Sequence, residues 1–74
     1  MIESQFCRFH LKGRGYTAEI ELLFINGEEK AVHSVPRLLE LMGEAGFKLV
    51  THHVTQRGSA LEGDHYMTFQ RDVG

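Results

Sequence analysis

Five histidines are the side chains with the most chemical potential in this 74-residue sequence. Imidazole nitrogens transfer protons near neutral pH and bind transition metals. His52 and His53 are adjacent, so in a strand they face opposite sides of the sheet, and only one of them can join His65. Pairing the last two strands about the centre of their loop brings His53 nearest to His65. These two are the candidate metal ligands, with a third ligand supplied by His10 or His33.

The spacing of these histidines does not favour a metal site. Zinc sites usually contain close pairs such as CxxC or HExxH, and neither pattern occurs here. Half-exposed strand histidines are the simpler interpretation. We therefore expect no metal, no cofactor, and no stoichiometric transition metal in protein purified without an affinity tag.

No catalytic group emerges from the other reactive side chains. Cys7 lacks a base on its own strand face, because His10 points the opposite way, and an inert buried thiol is expected. Glu19 and Glu21 share a face as a carboxylate pair would, but a solvated strand face explains them as well. The glycines form no phosphate-binding motif. The sequence favours a non-enzymatic protein. An enzyme with its active site built across a dimer interface is an alternative that no residue supports.

Length, charge and cysteine content define the class of protein. The chain has room for one domain, residues 1–74, with one thin core. Eight basic residues are scattered among ten acidic ones, so no basic patch for nucleic acid is expected. The longest apolar run, residues 22–25, is too short to span a membrane. A single cysteine and the lack of a signal-peptide pattern predict a cytoplasmic protein.

Alternation and capping signals predict the elements that position these side chains. Strands are expected over residues 4–12, 16–25, 47–55 and 64–71, with loops at the glycines of residues 13–15 and over residues 56–63. Ser34 is an N-cap and Gly46 a stop signal for a helix over residues 35–45. The predicted fold is an α+β two-layer sandwich, β-β-α-β-β, with a mostly antiparallel sheet and one helix on one face. Asn26-Gly27 is compatible with the end of the second strand and also with a hairpin into a further short strand over residues 29–33. The order of the strands in the sheet is not predicted.

Residues 38–71 contain two motifs that occur together elsewhere. The first is Leu38-Leu39-Glu40-Leu41-Met42-Gly43-Glu44-Ala45-Gly46-Phe47-Lys48-Leu49-Val50, and the second is Tyr66-Met67-Thr68-Phe69-Gln70-Arg71. This stretch resembles a family of small bacterial domains of unknown function, in which a helix ends in Gly-Ala-Glu-Gly-Trp-Glu-Leu-Val and a hairpin ends in an aromatic-basic pair. Phe47 replaces the tryptophan, and Glu44-Ala45 reverses the usual order. The resemblance implies the fold of this half and transfers no activity.

The apolar run in the second strand predicts self-association. Uniform alternation directs Leu22 and Phe24 toward the helix, whereas Leu23 and Ile25 continue the solvent face of Glu19. Two exposed aliphatic side chains forgo about 1.5–3 kcal/mol each relative to burial, which is comparable with the stability of so small a core. We therefore expect a homodimer or higher oligomer with Leu23 and Ile25 at its interface.

Two functions follow as hypotheses. The first is a non-enzymatic binding or assembly module that acts as a homo-oligomer, with another protein partner left open. The second is a small metal- or ligand-binding protein that uses the histidine-bearing C-terminal hairpin. A segment of the same chain folded over Leu23 and Ile25 would remove the reason for an oligomer.

Overall fold

The computed structural model describes residues 1–13, 18–56 and 63–73. The fold is α+β, with a five-stranded antiparallel sheet and one helix in the described residues. The elements are β1 (Ile2–Lys12), β2 (Glu19–Ile25), β3 (Glu28–Lys30), α1 (Val35–Glu44), β4 (Lys48–Gln56) and β5 (Gly63–Asp72). Asn26-Gly27 therefore makes a hairpin into the extra strand. The predicted start of the second strand at residue 16, the loop glycine Gly15 and most of the predicted loop over residues 56–63 lie outside the described residues.

The two ends of the chain form the middle of the sheet. The strand order is β3-β2-β1-β5-β4, so β1 is central, and every neighbouring pair is antiparallel. β1 and β5 pair without interruption from Ile2 opposite Asp72 to Leu11 opposite Gly63. This long ladder aligns two strands that carry four of the nine core residues and, among the described residues, the exposed aromatic side chains of Phe6 and Tyr66.

The helix forms where the sequence predicts it. The Ser34 hydroxyl accepts the Arg37 N–H at 3.2 Å, and Gly46 ends the helix with a φ of 86°. Its buried side chains, Leu38 and Met42, pack on one face of the sheet. The buried core consists of Cys7, Phe9, Ile20, Leu23, Leu38, Met42, Phe47, Met67 and Phe69.

A bulge in β2 reverses the side of the sheet to which the side chains in the second half of this strand point. The β1–β2 register shifts between Arg8 and His10, where Leu22 has a φ of 53°. The extra residue turns Leu22 away from the helix, and Leu23 joins Ile20 on the core side. Uniform alternation therefore predicted the wrong face for the residues of β2 after Glu21.

The predicted interface residues lie on the helix side of the sheet. Leu23 is 1% exposed in the core, and Ile25 is partly buried against it. The side chains that the bulge turns to the opposite side are Leu22, which is 65% exposed, and Phe24, which is half-buried. The reason for expecting an interface at Leu23 and Ile25 therefore no longer holds, because folding within one chain already covers them.

Arg71 fastens the C-terminal end of α1 to the sheet. Its Nη1 donates to the Ala45 carbonyl at 2.7 Å, which satisfies one of the free carbonyls at the helix end. Its Nε and Nη2 donate to Glu3 Oε2 at 3.1 and 2.9 Å. The guanidinium also lies 4.5 Å from the centre of the Phe47 ring. One side chain thus links β1, β5 and the start of β4 to the helix.

Replacing Arg71 with alanine will lower the free energy of unfolding by about 1–2 kcal/mol, because a charged hydrogen bond to a carbonyl and a cation–π contact are lost. The matched control is Arg37→Ala, which removes an exposed ion pair with Glu40 on the same helix and will cost only a few tenths of a kcal/mol. Urea unfolding at equal protein concentration measures both. Equal losses in the two variants would contradict the role given to Arg71.

Candidate functional site

The sheet face opposite the helix carries exposed apolar side chains. Phe6 on β1 is 61% exposed, Leu22 on β2 is 65% exposed and Tyr66 on β5 is 40% exposed. Phe24 is half-buried among them, and together these four residues are the open-face cluster. Single exposed apolar residues are ordinary on protein surfaces, but a contiguous group on one face marks an interaction surface.

A row of paired residues crosses the centre of this face. Register places Glu29, Phe24, Arg8, Tyr66 and His53 side by side on five neighbouring strands. The Arg8 guanidinium lies 5.2 Å from the centre of the Phe24 ring. No carboxylate of the described residues forms an ion pair with Arg8. The middle of the open face is therefore a cation held among aromatic rings.

Asn26 shapes one end of this surface. Its backbone N–H donates to the Phe6 carbonyl at 2.9 Å, while its side-chain Oδ1 accepts the Phe6 N–H at 2.9 Å. Its Nδ2 donates to Gln5 Oε1 at 3.0 Å. These bonds hold the β2–β3 turn against β1. A depression of about 310 Å³ lies beside the turn and is lined by Phe6, Cys7, Arg8, Phe24, Asn26, Gly27, Tyr66, Met67 and Thr68.

A histidine pair lies on the helix side of the sheet. His52 Nε2 and His65 Nδ1 are 2.9 Å apart, close enough for one nitrogen to donate its hydrogen to the other. The His65 ring stacks on the buried Phe9 ring, with centroids 5.0 Å apart and planes inclined by 8°. The pair joins β4 to β5 through side chains in addition to the backbone ladder.

The structure brings His52, not His53, against His65. His52 lies opposite Met67, which faces the core, whereas His53 lies opposite Tyr66 on the open face. The predicted pairing differs from this register by one residue, and such a slip moves every side chain of a strand to the other face. His53 and His65, the candidate ligands from the sequence, are therefore separated by the sheet.

Neither predicted third ligand approaches the pair. His10 points to the open face, where its Nδ1 lies 3.4 Å from Asp64 Oδ1. His33 accepts the Ile20 N–H through its carbonyl, so it lies beside β2, two strands away from β5. Within residues 1–13, 18–56 and 63–73, no group of three His, Cys, Asp or Glu side chains is arranged to hold a metal ion.

Burial makes the Cys7 thiol a weak acid. The side chain lies in the core, and removal from water raises its pKa to about 11. The reactive thiolate is therefore scarce at neutral pH, and Cys7 is a packing residue, as its strand position suggested.

The pKa of His65 is lowered from its ordinary value. Partial burial is the largest cause, and the nearby His52 adds to it because two imidazolium charges would repel. His10 acts in the same direction, whereas the Asp64 carboxylate opposes them. A histidine whose pKa is lower in the folded than in the unfolded protein binds protons less readily when the protein is folded. The protein therefore becomes less stable as the pH falls through the pKa of the unfolded state, near 6.5.

Lowering the pH from about 7.5 to about 5 will therefore reduce the thermal unfolding midpoint, since the unfolded chain takes up the proton that folded His65 resists. Replacing His52 with glutamine keeps a polar side chain but removes the repelling charge, so the loss of stability at low pH will be smaller. The control is His53→Gln on the same strand and the opposite face, which will behave as wild type. A His52→Gln profile that parallels the wild type would refute this coupling.

Comparison of the chain with protein-family models, with curated proteins and with solved structures found no match. The resemblance of residues 38–71 to a family of small bacterial domains therefore stays an expectation. Among the described residues, α1 is the only helix, and it lacks the length and apolar character needed to cross a membrane.

Proposed function

We propose that this protein is a non-enzymatic assembly module that forms a homodimer through the open face of its sheet. The observation that carries the proposal is the open-face cluster: Phe6, Leu22 and Tyr66 are exposed on the side that the helix does not cover. In this view the molecule is a two-layer sandwich whose second sheet face is covered by a second copy. The interface expected from the sequence at Leu23 and Ile25 moves to the side chains that the β2 bulge turns outward.

The backbone at Leu22 supports this choice of surface. A φ of 53° is a left-handed conformation that costs a non-glycine residue roughly 1 kcal/mol, and asparagine and glycine tolerate it better. The leucine side chain is 65% exposed, so the core gains little from it. Strained positions of this kind occur at interaction sites, where binding compensates for the strain. Burial of Leu22 in an interface explains why a leucine occupies this position.

The size of the face suits a dimer. The molecule measures 42 × 20 × 19 Å, and its sheet has five strands, of which β1 is eleven residues long. A stable interface buries about 800 Å² per partner, which a face of these dimensions supplies when most of it is covered. A chain of 74 residues also has a thin core, so additional apolar burial has a large relative effect on its stability.

The charges on the open face favour a second copy of this chain as the partner, in preference to a different protein with a purely apolar surface. Arg8 lies at the centre and has no ion pair with any residue that the structure describes, and burial there requires a carboxylate to compensate its charge. Glu29 lies in the same row two strands away and also has no ion pair within the described residues. A second copy carries a carboxylate of this kind on its own open face, and twofold symmetry forms any such contact twice.

Replacing Leu22 with asparagine distinguishes the stability of the subunit from the affinity of the dimer. Asparagine tolerates the left-handed backbone, as Asn26 does in this chain with a φ of 51°. The isolated subunit will therefore become more stable by about 0.5–1 kcal/mol. The dimer dissociation constant will rise at least tenfold, because a buried leucine contributes about 1.5–3 kcal/mol. Sedimentation equilibrium measures the dissociation constant, and urea unfolding at low concentration measures the subunit.

Leu39→Asn is the matched control, since Leu39 is 41% exposed on the helix side, and this variant will associate as the wild type does. Phe6→Thr changes another member of the open-face cluster and will weaken the dimer as Leu22→Asn does. A wild type that stays monomeric at high micromolar concentration would overturn the proposal. A dimer weakened by Leu39→Asn but not by Leu22→Asn would place the interface on the helix side.

A further inference from the structure

We propose that the outer edge of β4 is a second self-association site, at which β4 of one copy pairs antiparallel with β4 of another around a twofold axis at His53. β4 is the last strand of the sheet, and no strand of the described residues pairs with its outer side. This edge is separate from the open-face cluster, so the inference goes beyond the open-face dimer.

The two edges of the sheet differ in how they resist pairing with another strand. β3, at one edge, has three residues, and all of them are charged. β4, at the other edge, has nine residues, among which Lys48 at the first position is the only lysine, arginine or carboxylate, and it contains no proline. The register shift of β4 lies near its start, so residues 51–56 form a regular stretch. A long, regular edge without charges is a template for a further strand.

Alternation of the backbone hydrogen bonds identifies the free groups of this edge. In an antiparallel ladder, successive residues direct their N–H and C=O groups alternately to the two neighbouring strands. The Phe6 carbonyl accepts the Asn26 N–H at 2.9 Å, so the even-numbered residues of β1 bond to β2. The Met1 carbonyl accepts the Val73 N–H at 3.0 Å, in agreement with odd-numbered residues that bond to β5. Odd-numbered residues of β5 therefore bond to β1, and even-numbered ones bond to β4.

The same alternation continues into β4. His53 lies opposite Tyr66, an even-numbered residue of β5, so the backbone groups of His53 point to β5. Its neighbours His52 and Val54 therefore direct their N–H and C=O groups to the outer edge. These outward groups are placed symmetrically about His53, as a twofold axis at this residue requires.

The residues around His53 are self-complementary. A twofold axis at His53 places His52 opposite Val54 of the second copy, and each such pair exchanges both of its N–H···O=C bonds. The exposed side chains of Thr51 and Thr55 then lie opposite each other, and the two copies of His53 are adjacent. Threonine pairs are favourable cross-strand neighbours, and no lysine, arginine or carboxylate opposes a like charge. A second copy therefore fits this edge better than a strand of unrelated sequence.

Pairing at this edge is compatible with the open-face dimer. The twofold axis is perpendicular to the sheet, so the open faces of both copies lie on the same side of the joined sheet. The edge contact closes after two copies, because the same strand meets its own equivalent. Together with the open-face contact it makes a tetramer, whereas either contact alone makes a dimer.

Amide hydrogen exchange of the full-length chain at low micromolar and at millimolar concentration tests the pairing. We expect the His52 and Val54 amides to exchange about tenfold more slowly at the higher concentration, because pairing converts free N–H groups into ladder bonds. The control amide is that of Glu29, which by the same alternation points outward from the β3 edge and will exchange equally at both concentrations. Equal exchange of the His52 and Val54 amides at both concentrations would overturn the proposal. The Leu22→Asn variant will keep the protection, so failure of the open-face dimer and failure of the edge pairing give different results.

Proline at position 54 blocks the edge without removing a bond to β5, since the Val54 N–H points outward and edge strands tolerate proline at such positions. In the Leu22→Asn background, sedimentation equilibrium will show a dimer with Val54 and a monomer with Val54→Pro. Val54→Thr is the matched control, because it keeps the N–H and the branched shape, and it will associate as Val54 does. Equal association of the proline and threonine variants would contradict the edge pairing. The exchange measurement needs no substitution in β4, so it decides the proposal whether or not the proline variant folds.

Discussion

In the part of the chain that the structure describes, one short helix must cover a five-stranded sheet, and the rest of the structure depends on this constraint. The ten residues of α1 span about 15 Å, whereas the eleven residues of β1 extend about 36 Å. The buried core is therefore restricted to the sheet area beneath Leu38 and Met42. The opposite sheet face and the β4–β5 end of the helix side remain accessible, and the open-face cluster and the His52–His65 pair lie there.

Small irregularities decide what these uncovered areas present. The bulge at Leu22 moves Leu23 into the core and sends Leu22 to the open face. A second register shift, between Leu49 and Thr51, lies in β4. Because side chains alternate along a strand, a single extra residue exchanges the two faces for everything that follows it.

The two faces have different chemistry and can act separately. The open face combines aromatic rings with the Arg8 guanidinium, which suits contact with another protein chain. The helix side holds the His52–His65 pair against Phe9, where one imidazole donates its hydrogen to the other. Arg71 secures the end of the helix, so the boundary between covered and uncovered sheet stays in place.

Local signals in the sequence determined the helix, the turn and the character of Cys7. Ser34 and Gly46 set the helix ends because capping depends on a few neighbouring residues, and Asn26-Gly27 marked a turn for the same reason, whereas the strand that follows this turn was left open by the sequence. Only the tertiary structure decided the strand order, the bulge at Leu22 and the partner of His65. These depend on which strands pair and in which register, so they reflect contacts between residues far apart in the chain. Alternation along one strand predicts that two faces exist, but which face meets the helix is decided by the neighbouring strand.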